Sequence, residues 1–155
     1  MPQHHDTGRV ELTDWTTTGS AIRAIRETVF IHEQGVPVEL EWDGLDSACA
    51  HVLAWNNRGE AIGTARMQQN GTIGRMAVLK DWRGRGVGRA LLQTLLDLAT
   101  RRGLSRVTLS AQTHALGFYE RAGFDVVGEP FIDAGIPHRK MVKELKVPQP
   151  HLERQ

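Results

Sequence analysis

Between Arg83 and Arg89 the chain reads Arg-Gly-Arg-Gly-Val-Gly-Arg, with a glycine at every second position and arginines between. An apolar strand-like piece, Ile73 to Val78, precedes it. Behind it Val87, Leu91, Leu95 and Leu98 fall on one helical face, widened by Leu92, Leu96 and Ala99. Gly103 stands where a left-handed residue ends such a helix, and Arg101 and Arg102 suit the negative end of its dipole. A strand, a glycine loop and a helix start together make an anion site. The first helical N–H groups lack internal partners, and the dipole adds positive potential. Glycine lets a phosphate reach the backbone, and Arg83, Arg85 and Arg89 can pair with it in two-pronged geometry. A ligand carrying a pyrophosphate is expected.

Three phosphate-binding loops compete. A P-loop needs Lys and Ser or Thr after its last glycine, whereas Val87 and Gly88 follow Gly86. A dinucleotide fingerprint needs Gly-x-Gly-x-x-Gly, which glycines at 84, 86 and 88 do not give. The third pattern, Arg-x-x-Gly-x-Gly, is met by Arg83, Gly86 and Gly88. It resembles the coenzyme A loop of the GNAT superfamily of acyltransferases. The Met-Ala-Val strand end (Met76 to Val78) and Gly-Phe-Tyr-Glu-Arg-Ala-Gly-Phe (Gly117 to Phe124) are similar to that family too. Val29 to Pro37 and Asp43 to His51 resemble a bacterial branch called ElaA-like.

The resemblance implies a direct acetyl transfer from acetyl-CoA to an amine, with no metal and no covalent enzyme intermediate. It implies that strands Ile73–Val78 and Arg106–Ala111 splay apart to admit the pantetheine arm. Met76, Ala77 and Val78 would pair with that arm, and the amides of Arg85 to Arg89, with Gly84, would hold the pyrophosphate. Tyr119 matches the family tyrosine that protonates the departing thiolate; a phenol near pKa ~10 holds a proton at pH 7.

The proton acceptor is read from the residues alone. Glu33 to Asp46 is acidic, and carboxylates in a loop near a cofactor suit a cationic amine or a base. Glu33, just after the first helix, is the first choice. Glu39, Asp43, Asp46, His51, His114 and His138 are rivals, each with a structural reading of its own. His51 would be a satisfied core histidine, and His138 falls in a loop, Ala134 to His138. Arg75, opposite Met76, serves equally as a salt-bridge partner or a substrate contact. Cys49 has no sequence partner that would make it a nucleophile.

These residues need a frame. A chain of 155 residues, 40% hydrophobic and 24% charged, fits one globular domain over 1–155, with loose ends at 1–8 and 147–155. His4 and His5 lie in the first of these ends. Net charge of +1 gives no general attraction to nucleic acid or membrane. One cysteine excludes an internal disulfide, and no secretory leader or membrane span is read, so cytoplasm is expected. Val10 and Leu12 alternate as a first strand; Thr16 to Ser20 offers caps for a helix whose apolar face is Ile22, Ile25, Val29 and Phe30, with Arg23 and Arg26 off it. Strands are expected at Ala50–Trp55 and Ala61–Met67, with an Asn70-Gly71 hairpin turn. Thr113 would cap a short helix ended by Gly123, and strands at 124–127 and 139–145 close the sheet and could pair across a homodimer. The fold class is mixed α/β: a mostly antiparallel sheet with one parallel pair, flanked by about four helices. The acceptor is a small-molecule or peptide amine. The competing function is an acyl-CoA-binding sensor without turnover.

Overall fold

The structure, a computed structural model, describes residues 7–146; the two histidines at 4 and 5 lie outside them. The elements in order are β1 (Thr7–Thr13), α1 (Trp15–Arg26), β2 (Ala50–Asn56), β3 (Ala61–Met67), β4 (Thr72–Val78), β5 (Arg106–Gln112), β6 (Asp125–Asp133) and β7 (Ile136–Glu144). The helices α2 (Val38–Glu41), α3 (Val87–Arg101) and α4 (Leu116–Arg121) lie between them. One seven-stranded sheet has the order β1-β2-β3-β4-β5-β7-β6, antiparallel throughout except for β4 and β5. The mixed, mostly antiparallel sheet and its four helices are as the sequence predicts. Among the described residues no helix is long and apolar enough to cross a membrane.

Both faces of the middle strands are buried, so Val52 and Leu53, adjacent on β2, are each 0% exposed. Val52 joins the core under α3, and Leu53 joins the one under α1. Gly63 on β3 lets α3 come close: a Cβ there would meet Val87 Cγ1 at 3.0 Å and Leu91 Cδ1 at 3.1 Å. The fit fixes the start of α3, and with it the glycine loop, against the sheet.

Several local expectations are corrected. Asp14, not a residue of 16–20, caps α1, accepting from Thr17 N–H at 2.7 Å. The end of the first helix is as expected: α1 runs on through a π-helical stretch, Glu27–Glu33, to Gln34. Thr113 caps nothing; its hydroxyl donates to Pro137 O at 3.2 Å. β6 continues through Gly128 and Pro130 by a break in register between Val127 and Phe131. An outer strand tolerates this, because proline leaves no ladder bond unmade there. Ala134 and Gly135, at φ 53° and 77°, make a tight hairpin turn, so His138 sits on β7 rather than in a loop. Since β7 lies between β5 and β6, only β6 of the closing pair presents an edge to a second copy.

The feature that makes a site is where β4 leaves β5. The two strands pair at Thr72–Thr108 and Ile73–Leu109 and no further. β4 stays with β3 as far as Gly63–Val78, and β5 stays with β7 as far as Gln112–His138. The cause lies at Arg75, which takes φ 50° inside a register shift against β3. Such a bulge bends a strand and adds one residue to its alternation. Ile73 and Met76, three apart, therefore both pack toward the α3 core, while Ala77 joins the other.

Candidate active site

A cleft of about 760 Å³ opens between the diverging ends of β4 and β5. One end is the glycine loop. Gly84 and Gly86 have φ of 77° and 87°, and a Cβ on either would meet no atom within 4 Å. Glycine is needed there for its conformation, and the space before the loop is open. Gly86 precedes α3 in a left-handed conformation with no side-chain cap, and Ala90 N–H, bonded to Gly86 O at 3.1 Å, is the first with a carbonyl one turn back. The amides of Val87, Gly88 and Arg89 lack such a carbonyl within the helix. The donor set fits a pyrophosphate. Among the described residues no cluster of His, Cys, Asp and Glu is arranged to hold a metal ion.

Most of the predicted residues meet here. Met76, Ala77, Val78, Arg83, Gly84, Gly86, Gly88, Arg89 and Tyr119 all line the cleft; Glu33, Arg85 and Val87 do not. Val87 turns its side chain into the core. The Arg85 guanidinium lies 4.8 Å from the Trp82 ring centre.

Arg83 is used differently from the expectation. Its Nε donates to Val78 O at 2.8 Å, and its Nη1 and Nη2 donate to the two Glu33 carboxylate oxygens at 2.6 and 2.8 Å. The side chain thus ties the loop to the end of β4 and to the helical stretch after α1. The Arg83 hydrogen bonds hold the Glu33 carboxyl below its ordinary range. A carboxylate so paired and absent from the cleft lining is poorly placed to take a proton from an amine.

Tyr119 stands on α4 with its hydroxyl 3.7 Å from Met76 Sδ. Phe118 and Phe124 pack edge-on to its ring, at 5.0 and 5.9 Å. Gly123, at φ 96°, turns the chain so that Phe124 N–H reaches Tyr119 O at 3.1 Å. Burial pushes the phenol up to about 12, so it keeps its proton.

Of the rival bases, His114 and His138 line the cleft, whereas Glu39, Asp43, Asp46 and His51 do not. His51 is wholly buried, its Nε2 2.9 Å from Asp46 O and its ring beside Trp15, and burial lowers its pKa. His138 Nδ1 lies 2.7 Å from Ile136 O, and its ring stacks on Phe131.

The acidic stretch folds into a network absent from the sequence reading. Arg26, expected off the apolar face, is 1% exposed. It donates to Glu41 Oε2 at 2.7 Å and Asp46 Oδ1 at 2.6 Å, under the rings of Trp42 and Trp15. Arg66, buried on β3, donates to Asp46 Oδ1 and Asp43 Oδ1 at 2.9 and 3.0 Å. Arg75 completes it, with Glu41 at 3.3 Å and Asp43 at 3.2 Å. Burial raises the Asp43 and Asp46 carboxyls, but the arginine hydrogen bonds outweigh it and both end low. At Glu41 burial wins and the carboxyl ends high. The available signal was an arginine one turn after Ile22 and another between Ala65 and Met67, each in a buried phase.

Comparison with known proteins agrees with this geometry. A family model, the acetyltransferase (GNAT) domain, matches residues 16–145. The Bacillus subtilis N-acetyltransferase YjcF is 38% identical over 124 residues, covering 77% of this chain and 88% of its own. ElaA of Escherichia coli is 33% identical over 133 residues, 81% of this chain and 86% of its own. The crystal structure of that ElaA superposes with a TM-score of 0.80, at 30% identity, covering 88% of this chain and all of the other. An aminoglycoside 6′-N-acetyltransferase complexed with coenzyme A shares the fold, with a TM-score of 0.72 at 14% identity over 92% of this chain and 99% of its own. Glycine loop, splayed strands and sequence likeness converge: the chain belongs to the GNAT family of acetyltransferases, in its ElaA-like branch.

Proposed function

We propose that this enzyme moves the acetyl group of acetyl-CoA to a primary amine by direct attack in a ternary complex. The observation that carries the reading is the short β4–β5 ladder, which stops after Ile73–Leu109 at the same end as the open glycine loop. Beyond it, the edge of β4 that faces β5 has no strand partner, so Met76, Ala77 and Val78 can pair with an extended amide-bearing arm as a strand would. A backbone N–H of that edge suits the oxyanion of the thioester. The amides from Gly84 to Arg89 face the pyrophosphate.

In the transfer the amine nitrogen bonds to the thioester carbon and the carbon–sulfur bond breaks. The amine loses a proton and the thiolate gains one. Tyr119 supplies the second, being buried beside Met76 with its proton firmly held. For the first, His138 replaces Glu33 as the acceptor. A carbonyl only accepts, so the hydrogen of the neutral ring sits on Nδ1, facing Ile136 O, and Nε2 keeps its lone pair. Glu33 becomes the strap that holds Arg83.

The test is release of free thiol from acetyl-CoA across a panel of primary amines. Amine-dependent release supports transfer. Tight CoA binding with no release for any amine favours a sensor that binds acyl-CoA without turnover.

A further inference from the structure

In sequence the segment from Glu33 to Asp46 reads as a trap for cations, yet within the fold its charges are matched. Glu33 meets Arg83, Glu41 meets Arg26 and Arg75, Asp43 meets Arg66 and Arg75, and Asp46 meets Arg26 and Arg66. Four carboxylates face four guanidiniums, which leaves no net negative charge. Glu39, the remaining acid of the segment's helix, does not line the cleft. Burial also favours the neutral form of Glu41, which weakens it further as an anchor. Among the described residues Asp133 is the one carboxylate of the lining without an arginine, and it stands exposed at the end of β6. A solvated carboxylate of that kind contributes little to holding a cation.

The wall away from the glycine loop carries an apolar strip beside His114 and His138. Leu40 on α2 lines it and is 51% exposed; Val36, Ala134 and Ile136 line it as well. The polar pair between them, Gln34 and Gln112, is turned inward on itself, Gln112 Nε2 donating to Gln34 Oε1 at 2.9 Å. A second ammonium beside this strip loses part of its water and meets no buried counter-charge, only the solvated carboxylate of Asp133. We infer that the acceptor is a primary monoamine with an apolar body, and that polyamines and other polycations are poor substrates. The inference rests on the acetyl-transfer reading above and names its acceptor class.

Hexylamine and 1,6-diaminohexane separate the possibilities, since they share a chain length and differ by one distal ammonium. kcat/KM is measured for each by thiol release at saturating acetyl-CoA. The monoamine is expected to exceed the diamine by about tenfold or more. The variant Leu40→Glu places a carboxylate on an exposed position of the wall and should move the ratio toward the diamine by about tenfold. A wild-type enzyme that prefers the diamine, or a ratio unmoved in Leu40→Glu, overturns the inference and leaves acetyl transfer standing. Release with no amine of any class overturns both.

Discussion

In the proposed transfer Tyr119 and His138 divide the proton traffic, and each role has a testable signature. Tyr119→Phe keeps the ring packed between Phe118 and Phe124 and removes only the hydroxyl beside Met76. kcat should fall about a hundredfold, while KM for acetyl-CoA and melting temperature stay close to wild type. The phenol is raised to about 12, so its donating form persists above the ordinary tyrosine range. The wild-type kcat should therefore show no loss through about pH 10, where an unshifted phenol would be half ionised. His138→Gln keeps a side chain on β7 that can donate to Ile136 O but supplies no base. It should lower kcat/KM for the amine by about tenfold or more while KM for acetyl-CoA stays close to wild type. A His138→Gln enzyme with wild-type kcat/KM for the amine returns the role to another group. Both residues stood among the sequence candidates. Glu33 did too, and its reassignment has a physical cause: adjacency in sequence to a catalytic helix end says nothing about a partner fifty positions away, and Arg83 is that partner.

The glycine loop, as an element, was legible to the residue. Its conformation is dictated by its own side chains: left-handed glycines at 84 and 86, a helix face starting at Val87, and a Gly103 stop. The short strand-like runs and the Asn70-Gly71 turn between them likewise placed β3 and β4. What escaped is the bulge at Arg75, since a non-glycine residue at positive φ has no local signature and depends on the ion pairs that hold its side chain. At this scale the Glu33–Arg83 strap has its own prediction. Both partners are partly exposed, so the pair adds only about 0–1 kcal/mol of stability, and its role is geometric. Glu33→Gln should raise KM for acetyl-CoA several-fold by loosening the loop, with kcat and the shape of its pH profile little changed. A large fall in kcat with KM for acetyl-CoA unchanged would instead restore Glu33 as the base.

Across the whole molecule the two halves of the cleft differ in how they are encoded. The cofactor half is one continuous stretch, strand to loop to helix, and reads directly from the chain. The acceptor half is assembled from distant segments: Arg26 with Glu41, Arg66 with Asp46, and Gln34 with Gln112, 78 positions apart. No periodicity reveals such pairings, so an acidic stretch looked free when it was already neutralised. Acyl-CoA use is therefore encoded locally, while the acceptor class depends on charge matching in the folded chain. Every role proposed here requires CoA to sit on the glycine loop. Gly86→Glu tests it directly, by placing a carboxylate in the open space before the loop. The measurement is calorimetric titration of CoA into the wild-type and variant proteins, with circular dichroism to establish that both are folded. Affinity should fall by a hundredfold or more, at a stability loss of about 1–2 kcal/mol from the left-handed backbone. A folded Gly86→Glu protein that binds CoA as tightly as wild type would contradict the account.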